Sequence, residues 1–257
     1  MNLFIRSMLA AIALIGLTAD PALAHFGMII PSSPMVMKDD AKSIKIEARF
    51  WHPMEGNGMN LAKPKAFGVA TQGQTVDLLG SLKEKKVNQN AVWETDYKVT
   101  RPGVYCFFME PQPYWEPAED HYIVHYTKSY VAALGDDEGW DKPVGLKTEI
   151  VPLSRPFGLY AGNVFQGVVM LNGKPVPEAR VEVEFYNQDG KVKAPNDYMV
   201  TQSIKADKNG VFTYAAPRAG WWGFSAVSTD DQKIAYQGNP KNVEIAAVIW
   251  VKFFDMK

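Results

Sequence analysis

Ser43-Ile44-Lys45-Ile46-Glu47-Ala48-Arg49-Phe50-Trp51 alternates between two kinds of side chain with a period of two. A strand sends successive side chains to opposite faces. Ile44, Ile46, Ala48 and Phe50 therefore share one face, and Lys45, Glu47, Arg49 and Trp51 the other, which is the pattern of a half-buried β-strand. Outward from this stretch, runs rich in Val, Ile, Tyr and Phe recur between turn residues. They predict strands at 66–71, 76–79, 91–99, 103–109 and 122–132. No long 3.6-residue period occurs, and only Lys128 to Leu134 reads as a helical turn. The expected fold class is all-β, as two β-sandwich domains.

The expected boundary lies near residues 153–162, where Leu153-Ser154-Arg155-Pro156-Phe157-Gly158 mixes proline and glycine. Beyond it, strands are expected at 162–171 and 179–186, separated by the turn Asn172-Gly173-Lys174-Pro175-Val176-Pro177. Asp207-Lys208-Asn209-Gly210 is a further turn, because Asn-Gly supplies the positive φ that tight hairpins need. It lacks the later acidic ligand of an EF-hand calcium loop. Gly167 to Val227 resembles the transthyretin-like or carboxypeptidase-regulatory-like β-sandwich, through Asn172 to Pro177, Asp207 to Phe212 and Pro217 to Trp222. In the first half, Arg101-Pro102-Gly103-Val104-Tyr105-Cys106 resembles a turn and strand of immunoglobulin-like sandwiches. Such likenesses speak to fold and not to activity.

The 257 residues are 47% hydrophobic and 21% charged with a net charge of −1, the balance of a folded protein without the basic face that nucleic acid requires. Arg6, the apolar stretch from Ser7 to Thr18 and Ala22-Leu23-Ala24 read as a signal peptide over residues 1–24. The expected location is periplasmic. An N-terminal metal-binding sandwich is expected over 25–155 and a C-terminal sandwich over 161–257. Ile245 to Phe254 is apolar but short and contains Lys252, so it reads as a closing strand. The single cysteine, Cys106, excludes an internal disulfide. It is a core thiol or, alternatively, a soft-metal ligand.

Cleavage after Ala24 leaves His25 at a free amino terminus, where the α-amine and ring Nδ1 can close one chelate ring on a metal ion. The α-amine has an ordinary pKa near ~8, so it gives up its proton readily near neutrality. All four histidines, His25, His52, His121 and His125, fall in the first half of the chain. His52 ends a strand and precedes Pro53, at a strand-to-loop transition. His121 and His125 share a strand face but stand about 13 Å apart at ~3.3 Å per residue, so one ion cannot take both directly. His125, inside the strand, is the stronger candidate and His121 a peripheral ligand. Glu116, in a stiff proline-rich loop, can complete a metal shell. Imidazole and amine suit nickel, cobalt, copper and zinc. Met28, Met35, Met37, Met54, Met59 and Met109 offer thioethers for copper(I), although methionine more commonly fills cores.

Three stretches, His25 to Ser32, Arg49 to Met59 and Met109 to Lys128, resemble the NikK-like periplasmic component associated with energy-coupling-factor nickel and cobalt transporters. The resemblance implies a protein that captures Ni2+ or Co2+ outside the inner membrane and hands it to membrane transporter subunits. Copper handling is the alternative, since copper-resistance sandwiches also start at a histidine. A copper-brace oxygenase and a metal-free surface-binding sandwich are further classes. No Ser-His-Asp order, phosphate loop or HExxH motif occurs, so no enzymatic activity is expected.

Overall fold

The computed structural model describes residues 24–256, so the expected leader lies outside the described residues except for Ala24. The fold is all-β, and two single-turn 3-10 segments, Leu79–Ser81 and Asp197–Met199, are the helical elements among the described residues. Three sheets form the body. In the first, Phe26–Pro31 pairs with Ser43–His52, which pairs with Asn90–Lys98 and through it with Lys83–Val87; Asn57–Met59 joins the end of Ser43–His52. The second is an eleven-stranded sheet whose middle is the parallel pair His121–Ala133 and Val243–Phe254. The third has four strands built around Val164–Leu171.

The large sheet is covered on both faces. Ile29, Ile46 and Phe50 of the five-stranded sheet pack with Phe67, Phe107, Ile123 and Val131 on one face. Ile150, Phe165 and Phe212 of the four-stranded sheet pack with Val183, Phe224, Ala247 and Ile249 on the other. Ala246, Val248 and Trp250 lie on the first face with Phe26 and Met28. This explains why Val243–Phe254 is apolar without alternation: a strand buried on both sides has no solvent face to mark with polar residues. The proline- and glycine-rich stretch near 153–162 connects the two halves of the sequence, and the eleven-stranded sheet draws strands from both.

The strand expected over 66–71 forms as Ala66–Thr71, and the one over 43–51 extends by one residue to His52. The strand expected at 76–79 instead runs Gln74–Asp77, because the Asp77 carboxylate accepts the Leu79 N–H (2.8 Å) and turns the chain into a 3-10 segment. The helical turn expected at Lys128 to Leu134 does not form. Lys128 to Ala133 continue the strand, paired with Val243–Phe254 up to Ser129 and with Gly103–Glu110 from Tyr130 on, so two ladders override local propensity. Lys128 is fully buried, and its ammonium donates to Glu149 at 2.6 Å. Glu149 also accepts the Val144 and Gly145 N–H groups, which satisfies a pair that would be costly if broken. Cys106 is buried in the core, and burial pushes its thiol up to about 11. It takes the core role.

The strand Phe26–Pro31 crosses closely over His121–Ala133. A Cβ on Gly27 would lie 2.9 Å from the His125 Cβ and still closer to the Thr127 hydroxyl, which is held by the His125 carbonyl. We expect Gly27→Ala to lower stability by about 1–3 kcal/mol, the usual cost of overpacking. A urea midpoint unchanged from the parent would show that this crossing is loose.

Glu184 is 1% exposed, and burial pushes its carboxyl up to about 8, against smaller opposing contributions from the Thr201 hydroxyl and the Met54 N–H. The unfolded chain releases this proton from about pH 4.5, whereas the folded protein keeps it to about 8. The unfolded state therefore binds fewer protons between those values, and stability falls as pH rises through that window. Glu184→Gln is expected to flatten this decline, measured as urea unfolding at pH 5 and pH 8. Equal pH slopes in the two proteins would mean that Glu184 ionises freely in the fold.

Candidate metal centre

The register places the first two histidines together. Phe26 pairs with Trp51 at the end of an antiparallel ladder, so the next position along brings His25 beside His52. Their ring centroids are 4.5 Å apart. The His25 ring stacks on Phe50 (5.5 Å, 22°), and its Nε2 meets a Glu116 carboxylate oxygen at 3.0 Å. Glu116 ends Tyr114–Glu116, a short strand paired with the start of His121–Ala133, where Glu116 lies opposite His121. The His25 side chain is 11% exposed, so it is packed into the protein.

Each ring nitrogen has a definable role. The His52 Nδ1 donates to the Ala24 carbonyl at 3.1 Å, which puts the proton on Nδ1 and leaves the Nε2 lone pair free. The His25 Nε2 donates to Glu116, which leaves its Nδ1 free. His125 differs: its Nδ1 accepts the Gly27 N–H at 3.2 Å, so a neutral ring carries its proton on Nε2. That Nε2 is buried without a hydrogen-bond partner and faces Glu244 Oε1 at 3.5 Å.

Glu244 was not among the residues singled out from the sequence. It lies beside Ile123 in the parallel ladder, on the face that His121 and His125 also use. Its second carboxylate oxygen is 3.9 Å from His121 Nε2, and Glu119 reaches the same nitrogen at 3.1 Å. The strand spacing that separates His121 from His125 is thus spanned by one carboxylate. Among the described residues, Glu119, His121 and Glu244 are the group of three whose ligand atoms all lie within 4.8 Å of one another. A single glutamate at the start of an apolar run gave no sequence signal beyond its interruption of that run.

The electrostatics follow from burial. Desolvation, followed by repulsion from His52 and His125, pulls His25 down to about 4 despite the opposing pull of Glu116, so its ring is neutral at pH 7. Burial pushes Glu244 up, but the imidazoles of His125, His121 and His25 outweigh it and hold this carboxyl below its ordinary value. Glu119 and Glu182 are raised, chiefly by burial and also by neighbouring carboxylates. A cleft of about 260 Å³ opens between these groups, lined in part by His25, Glu119, Glu182, Glu244 and Arg180. The donor set, imidazole with carboxylate, suits borderline divalent ions. Met28 and Met109 are fully buried in the core clusters, which is the filling role of methionine.

No curated protein matches this chain. Among solved structures it is similar to the Yersinia pseudotuberculosis adhesin InvE, at 10% identity and a TM-score of 0.23, over 86% of this chain and 58% of that one. Latent PorU from Porphyromonas gingivalis is similar at 11% identity and a TM-score of 0.23, over 89% of this chain and 20% of that one. Trypsin-activated alpha-2-macroglobulin from Escherichia coli is similar at 9% identity and a TM-score of 0.23, over 90% and 16% respectively. The chain thus spans less than two thirds of the length of each. Residues 22–230 match the family described as "Domain of unknown function (DUF4198)", and the chain belongs to that family.

Proposed function

We propose that this protein is a non-enzymatic, extracytoplasmic metal-binding protein. It captures Ni2+ or Co2+ at the His25 end of the cleft and passes the ion to an energy-coupling-factor-type membrane transporter. One observation carries the reading: all four histidines of the chain, spread over a hundred residues, gather around carboxylates, His25 beside His52 and Glu116, His121 and His125 both beside Glu244. Histidines placed only for packing have no reason to gather.

The hydrogen bonds support a division of labour. His25 Nδ1 is a free lone pair, and its ring is oriented through Nε2 by Glu116, as metal-ligating histidines usually are, with His52 Nε2 free beside it. Glu116 orients His25, and His125 directs its N–H toward Glu244 and so positions that carboxylate. A cut after Ala24 would remove the carbonyl that now occupies His52 Nδ1 and turn the His25 amide into an amine. The amine and Nδ1 of His25 would then form the chelate, with His52 beside it. Release to a transporter needs only one of these arms to be protonated or displaced. Intrinsic affinity orders copper(II) above nickel, so discrimination against copper rests on metal supply and geometry.

The test is calorimetric titration of Ni2+, Co2+ and Cu2+ into protein that begins at His25. Tight Ni2+ or Co2+ binding is expected. An added alanine before His25, or His52→Ala, should weaken it by more than the roughly 10- to 100-fold expected for Glu116→Gln, which removes only an orienting partner. Preference for copper under competition would favour copper handling instead. Absence of divalent-ion binding would sink the proposal.

A further inference from the structure

We propose that Glu119, His121 and Glu244 form a second divalent-cation site, separate from the His25–His52 end and built from one imidazole and two carboxylates. The geometry is nearly formed. Donor atoms bound at about 2.1 Å to one ion stand about 3 Å apart across a right angle and about 3.4 Å across a tetrahedral one. His121 Nε2 lies 3.1 Å from Glu119 and 3.9 Å from Glu244, and the three ligand atoms are mutually within 4.8 Å. Side-chain adjustments on the order of an ångström would close them on an ion. The 3.1 Å contact does not satisfy His121 as a hydrogen bond, because its Nε2 is buried with no hydrogen-bond partner. Ligands of a common ion approach one another in this way, without a proton between them.

A second observation comes from outside this trio. His125 is 2% exposed, its Nε2 has no hydrogen-bond partner, and it is aimed at Glu244. An orphaned N–H in so dry a position is costly unless it serves a carboxylate whose charge is compensated elsewhere. The charge count agrees. Glu119, Glu182 and Glu244 line the same cleft against the guanidinium of Arg180, which is itself bound to Glu182 at 2.9 Å. Glu119 and Glu244 therefore face each other across the His121 imidazole, an arrangement that a divalent cation satisfies. Glu119 is 41% exposed and gives such an ion a path from solvent.

The experiment separates this site from the one proposed above. Zn2+ is titrated calorimetrically, and Co2+ by visible absorption, into three proteins of verified fold by circular dichroism. These are the protein beginning at His25, the same protein with an added alanine and His52→Ala, and one with Glu119→Gln and His121→Ala. The second protein should still bind one equivalent, and the third should lose one equivalent relative to the first. If the second protein binds nothing while the first binds one equivalent, the present inference is overturned and the capture reading stands. Retained binding in the second protein that disappears on adding Glu119→Gln and His121→Ala supports this site, whatever becomes of the His25 chelate. Unchanged stoichiometry in the third protein overturns it.

Discussion

The cleft depends on one strand pairing, the parallel ladder between His121–Ala133 and Val243–Phe254. Parallel neighbours cannot be joined by a tight turn, and here the connection between them spans residues 134–242, nearly half the chain. Its cost in chain entropy is offset by a strand buried on both faces, with Ala246 to Val251 all fully inaccessible to solvent. The register of that ladder sets Glu244 beside Ile123, between the two histidines of the neighbouring strand. A slip by one residue would turn Glu244 onto the opposite face, toward the apolar core, and send Ile245 into the cleft. The hydrophobic pattern that fixes the register thereby fixes the polar site as well.

Within the cleft, acids and bases respond to burial in opposite ways that a cation reconciles. Dry surroundings disfavour charge on both, so His25 is driven toward the neutral imidazole while Glu119 and Glu182 are driven toward the neutral acid. Protons can satisfy the carboxylates only by also favouring charge on the imidazoles. A divalent ion favours ionised carboxylates and neutral imidazoles together, the combination that metal ligands require. Glu244, with three imidazoles around it, is already held in the ionised direction.

The parts legible in the sequence were those written in local pattern. The period-two alternation of Ser43–His52 and the turn at Asp207 to Gly210 carry their structure on their faces, and both form as expected. Lys128 to Leu134 misled because its local composition tolerates a turn of helix, whereas the two flanking ladders are visible only in the fold. The His25–His52 neighbourhood follows from an antiparallel register that no local pattern specifies. Glu244 was missed because its partners are more than a hundred residues away. Likewise, a proline- and glycine-rich stretch reads as a boundary between domains, yet hydrogen bonding carries one sheet past it. Long-range pairing is the information that sequence pattern withholds.

The structure anchors His25 from the residue that follows it. Phe26 and Met28 are fully buried against Trp250, and the Trp250 indole N–H donates to the Gly27 carbonyl at 2.9 Å. The same Gly27 gives its N–H to His125, so one glycine is fastened to the closing strand through its oxygen and to the cleft through its nitrogen. Only a residue without a Cβ can approach this closely. The ordering entropy of the His25 ring is therefore met by folding, and less binding energy would be lost if an ion bound there. A metal site arranged in this way would gain affinity from rigidity and would find its release elsewhere, in the protons and carboxylates around it. That is the physical reason to look to the acidic mouth of the cleft for how an ion would leave.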